Sequence, residues 1–101
     1  MIFDSEKETF GRLYAFTSTN PDAVLTVTTD NGVVFNATVD TDYETDNGLE
    51  MTAPGYEEFH AMLLKRIDTG ELLEITYHNF PLRITCNGVF VAGTAEPQDN
   101  P

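Results

Sequence analysis

Between Leu13 and Leu64 the chain contains no lysine and no arginine. Its 101 residues carry five basic side chains against seventeen acidic ones, a formal charge of -12. So cation-poor a surface repels phosphate backbones, which argues against direct nucleic-acid binding, and it disfavours an anionic membrane for the same reason. Cysteine is scarce too. Cys86 stands alone and has no partner for an internal disulfide, so the expected compartment is cytoplasmic. No apolar run approaches the ~20 residues that span a bilayer. The opening MIFDSEKETF lacks the basic start and apolar middle of a signal peptide. Zinc-type Cys/His spacing and glycine-rich phosphate loops are missing, so no metal, cofactor or catalytic residue is expected and the chain reads as non-enzymatic. Of the two histidines, His60 borders an apolar stripe and reads as packing, and His78 precedes a turn.

What is present supports one folded unit. Hydrophobic residues make up 41% of the chain. The expectation is a compact domain over 1–92 followed by a loose polar tail over 93–101. DSEKETFGRLYAF reads as a helix with Ser5 and Glu8 as a capping box, stopped by TSTNPD. AVLTVTTDNGVVFNATV reads as a hairpin. A three-residue DNG loop with left-handed Gly32 sets Val27 against Phe35 and Leu25 against Ala37, so that one apolar face meets another. A second DNG, Asp46 to Gly48, predicts that LEMT returns as a third strand, with Tyr43 facing Met51. APGYEEFHAMLLKRIDTG predicts a second helix with an apolar stripe of Tyr56, Phe59, Leu63 and Ile67. Two or three further strands follow, with a turn at Asn87–Gly88 into a short VFVA strand. The expected fold class is therefore α+β: two layers, in the order α-β-β-β-α-β-β, with two helices on one face of a mainly antiparallel sheet.

The densest chemistry is the row Asp40, Asp42, Glu44, Asp46. An EF-hand loop begun at Asp40 or Asp42 has neither the glycine at its sixth position nor the glutamate at its twelfth. On a strand, Asp40, Asp42 and Glu44 share a solvent face at a spacing of ~6.6 Å. The predicted meander puts Glu50 across from Glu44, and like charges directly opposite are destabilising. A locally unfavourable choice is where function tends to sit. The candidate partner-binding residues are accordingly Asp40, Asp42, Glu44, Asp46, Glu50, Glu57 and Glu58. Phe80, in YHNFP, joins them as an aromatic anchor beside a turn.

These features predict a small acidic binding protein that masks the basic, nucleic-acid-binding surface of a protein partner. Its role would be inhibition of a nuclease or a defence system, of the phage-antagonist or immunity-protein type. The alternative is an accessory domain, acidic for solubility and homodimeric through an open sheet edge. A small enzyme or a non-EF calcium module ranks third.

Overall fold

The computed structural model of the chain describes residues 8–94. One helix, α1 (Phe10–Thr19), precedes six strands: β1 (Leu25–Thr28), β2 (Val34–Asp46), β3 (Glu58–Arg66), β4 (Leu72–Ile75), β5 (Arg83–Cys86) and β6 (Val89–Ala92). The strands form one sheet in the order β4-β3-β2-β1-β5-β6, each pairing antiparallel. This is α+β and mainly antiparallel, as the sequence predicts, but it carries one helix among the described residues and not two.

The expected capping-box residue Ser5 lies outside the described residues. Thr9 occupies the N-cap position and makes no side-chain cap. The helix runs three residues past Phe16 and stops one residue before Asn20-Pro21, where the proline disfavours helical angles for its predecessor. The threonines and serine of that last turn return their hydroxyls to helix carbonyls: Thr17 to Leu13 at 3.0 Å and Ser18 to Tyr14 at 2.7 Å.

The first hairpin has the predicted register. Val27 pairs with Phe35 and Leu25 with Ala37, and the Thr29 amide donates to the Val33 carbonyl at 2.9 Å across an Asp30–Gly32 loop. Gly32 holds φ at 87°, a region that costs a side chain energy. At the second turn, Asn87 (φ 53°) and Gly88 (φ 81°) are both left-handed, the requirement of a tight primed turn between β5 and β6.

The second predicted helix is instead β3. The run FHAMLL satisfies helical spacing, but a continuous apolar run equally suits a strand buried on both faces. β3 is such a strand, because β2 and β4 flank it and Phe59, His60, Ala61, Met62 and Leu64 are all buried. His60 meets the rings of Phe10 (6.0 Å) and Tyr14 (5.9 Å), which places α1 over the face carrying His60, Met62 and Leu64. The core lies between α1 and this face, and includes Phe10, Leu13, Leu25, Val27, Phe35, Met62, Leu64 and Ile84.

The third strand of the predicted meander is also corrected. LEMT belongs to an irregular stretch between β2 and β3, with Leu49 47% and Met51 77% exposed. Since β3 takes the place predicted for LEMT, Tyr43 faces Ala61 and not Met51. Gly93, the first residue of the expected tail, is buried, and 95–101 lie outside the described residues. Among the described residues no helix is long and apolar enough to cross a membrane.

Candidate functional site

A β-bulge decides where the acidic row points. Val39 pairs with Leu64 and Thr41 with Leu63, so Asp40 is an extra residue without a cross-strand partner. Before the bulge, Phe35, Ala37 and Val39 face the core. After it the parity reverses. Asp42 pairs with Met62, Glu44 with His60 and Asp46 with Glu58. Paired residues share a face, so Asp42, Glu44, Asp46 and Glu58 stand on the helix side of the sheet, beyond the core. The sequence alone places these acids on the opposite face and Tyr43 on the apolar one. The inserted residue exchanges them.

Asp40, Asp42, Glu44, Asp46 and Glu58 are all exposed. Glu44, Asp46, Glu58 and Thr45 line a shallow recess of about 180 Å³. The cations of β3, Lys65 and Arg66, lie at its far end, and Arg66 is engaged by Asp68 at 2.8 Å, which holds that carboxyl below its usual range. The predicted Glu44–Glu50 opposition does not occur: Glu50 sits in the β2–β3 connection, where its carbonyl accepts from the Ala53 amide at 2.9 Å. A like-charge pair exists one step further along, at Asp46 opposite Glu58. The Tyr56 hydroxyl answers part of that charge by donating to Glu58 Oε2 at 2.9 Å. This bond, aided by burial and by the charges of Glu58 and Asp46, pushes the Tyr56 hydroxyl from 10.0 to about 12. The folded state therefore holds this proton more tightly than the unfolded chain. The resulting stabilisation is complete below pH 10 and is lost as pH rises through about 12. The Tyr43 hydroxyl, which donates to Glu74, is also pushed up. In an ultraviolet-monitored titration Tyr43 and Tyr56 should therefore both ionise late, and Glu58→Gln should return Tyr56 alone toward the ordinary value. Two late tyrosines remaining in Glu58→Gln would place the cause of the Tyr56 shift elsewhere.

Two predicted site residues have other work. Glu57 is half-buried and lies on a different side from Glu58. Its carboxylate accepts from the Tyr77 hydroxyl through Oε2 and meets His78 Nε2 at 2.9 Å through Oε1. Phe59 packs edge-on to His78 at 4.9 Å. Glu57 thus clamps the 3-10 turn Tyr77–Asn79 to the start of β3, with both its oxygens occupied. No sequence signal announces this cluster, because its members are some twenty residues apart and share no motif. Phe80 is 4% exposed and packed in the core, where it lines an apolar cleft of about 470 Å³ with Val27, Phe35, Leu73 and Ile75. It is a packing residue and not an exposed loop-tip anchor.

Among the described residues no group of three or more His, Cys, Asp or Glu side chains is placed to hold a metal ion. The arrangement offers a fixed array of carboxylates, which is suited to receiving cationic groups.

None of the curated proteins or solved structures matches the chain. The family model described as cognate immunity protein YxxD matches residues 10–75, from the first residue of α1 to the last of β4 and so across the whole acidic ridge. The chain belongs to the family of cognate immunity proteins YxxD.

Proposed function

We propose that this protein neutralises a cognate toxin by laying its acidic ridge over a basic, nucleic-acid-binding surface of that toxin. The observation that carries this reading is the alignment of Asp42, Glu44, Asp46 and Glu58 on one exposed face, with Asp40 beside them at the bulge. Four carboxylates so placed raise the local concentration of a cationic partner and fix its orientation. The recess between Glu44, Asp46 and Glu58 has room for an ammonium or guanidinium head group. The Asp46–Glu58 opposition costs the free protein stability, and a cation from the partner would relieve it. Inhibition would proceed by occupancy, with no chemical step on the inhibitor.

The test is a salt series. Binding of the full chain to its cognate toxin should weaken steeply with ionic strength, mainly through slower association, because screening at ~0.1 M confines these charges to ~10 Å. The same salts should raise the melting temperature of the free inhibitor, since they screen the ridge's self-repulsion. An affinity that ignores salt would locate the contact on an apolar surface.

A further inference from the structure

We infer that the outer edge of β2, from Thr41 to Asp46, accepts an extended basic segment of the toxin as an added strand, an inference that rests on the reading above of the chain as a toxin inhibitor. β2 is 13 residues long, whereas β1 pairs only with Val34–Ala37. Beyond Ala37, among the described residues, no strand lies on that side of β2.

The direction of the backbone groups follows from one hydrogen bond. The Asn47 amide donates to the Glu57 carbonyl at 3.1 Å, continuing the register that pairs Asp46 with Glu58. In an antiparallel ladder hydrogen-bonded pairs alternate with non-bonded ones. Thr45–Phe59, Tyr43–Ala61 and Thr41–Leu63 are therefore the bonded pairs. Asp42, Glu44 and Asp46 turn their N–H and C=O groups away from β3, toward the open edge. The same three residues supply the carboxylates of the ridge. One set of positions thus offers both the main-chain bonds of a strand edge and the charge that selects what pairs with it.

The occupant follows from this geometry. A strand bonded to Asp42, Glu44 and Asp46 places its opposing side chains beside three carboxylates. Its alternate side chains fall beside Thr41, Tyr43 and Thr45. The complementary segment carries Lys or Arg at every second position, with β-branched or aromatic residues between. Six residues at a rise of ~3.4 Å give a contact of ~20 Å, an ordinary strand length, and the Asp40 bulge ends it. A second copy of this chain fits poorly, because edge-to-edge pairing sets acid against acid. The edge is closed to itself by charge and open to a basic strand.

Amide-resolved hydrogen exchange on the full chain, free and bound to its toxin, tests this. In the free protein Tyr43 should exchange slowly and Asp42, Glu44 and Asp46 quickly. In the complex those three should slow by at least ~100-fold. Quick exchange in the complex overturns strand addition while leaving charge masking intact. Slow exchange in the free protein at every dilution means that the chain covers its own edge. Slowing that appears only at high concentration means that a second copy does so. Either result overturns the proposal. Glu44→Pro removes one outward N–H at a position where an edge tolerates proline, and Glu44→Gln removes the charge alone. Glu44→Pro should bind at least roughly tenfold more weakly than Glu44→Gln at a similar melting temperature. Equal affinities overturn the inference. A chain that binds no toxin at all fails at the functional reading, which is a distinguishable result.

Discussion

Replacing Asp40, Asp42 and Glu44 together with lysine should abolish toxin neutralisation and weaken binding by at least ~1000-fold, which is ~4 kcal/mol. Close charge pairs at interfaces couple by ~1.5–7 kcal/mol, and reversal turns three attractions into repulsions, so the figure is conservative. All three residues are exposed, and none opposes another acid across the ladder, so the fold should survive. The variant should even melt at or above the parent at low salt, since three reversals of two units each take the formal charge from -12 to -6. The control is Asp22, Asp30 and Glu71, also exposed and also changed to lysine. Asp30 and Glu71 lie in the turns at the opposite end of β2 and β3, and Asp22 follows α1 near the β5–β6 turn. This second triple changes net charge equally and should lose less than tenfold. Calorimetric titration against the toxin at fixed ionic strength separates the outcomes. Equal losses would mean that bulk charge alone steers the encounter. No loss in either would remove the ridge from the interface.

The ridge was legible because strand periodicity and charge coincide in DTDYETD, and no base interrupts them. Its orientation was not, because a bulge leaves no mark when the residues around it are all polar. Alternation read straight through from Val39 gives Tyr43 to the core and the acids to the other face, and one inserted residue, Asp40, reverses that assignment. The hairpin at Gly32 was legible for the opposite reason: only one loop length sets Val27 on Phe35, and the turn residues demand the same loop. β3 shows where periodicity has no power. A strand buried on both faces has no period-2 signal, so Phe59 and Leu63 fall at helical spacing by coincidence and good helix formers reinforce the error. Without β3 as a strand its pairing with β2 is invisible, and pattern alone sets Glu50 against the acids of β2, where the ladder sets Glu58. The Glu57–His78 clamp depends on that same pairing and on a turn about twenty residues later, so local pattern could not supply it.

The largest stability effect is expected far from the ridge, at Gly93. Its φ is ordinary, so the requirement is for space and not for a left-handed backbone. The register of β6 on β5 shifts between Ile84 and Thr85, which brings Ala92 opposite Ile84 and leaves Gly93 pressed on the chain entering β5. A Cβ there would stand 2.3 Å from the Leu82 carbonyl oxygen and 2.9 Å from the Arg83 Cα. Both are backbone atoms, so no side-chain rotation relieves the clash, and β5 or β6 must move. β5 is paired to β1 on its other side, and Ile84 and Ala92 are fully buried, so movement opens the core. Overpacking of this kind costs ~1–3 kcal/mol and more where backbone is displaced. Gly93→Ala should therefore lose at least ~2 kcal/mol, and the melting temperature should fall by ~8–16 °C. Gly32→Ala is the useful contrast. A Cβ there meets nothing within 4 Å, and the cost is the left-handed φ alone, ~1 kcal/mol. Thermal unfolding of the two variants should rank Gly93→Ala as clearly the worse, while its folded fraction binds toxin with unchanged affinity, since β6 lies four strands away from β3 in the sheet order. If Gly93→Ala melts like the parent, the β5–β6 approach is looser than the geometry states. If toxin affinity falls with it, the far edge of the sheet belongs to the interface as well.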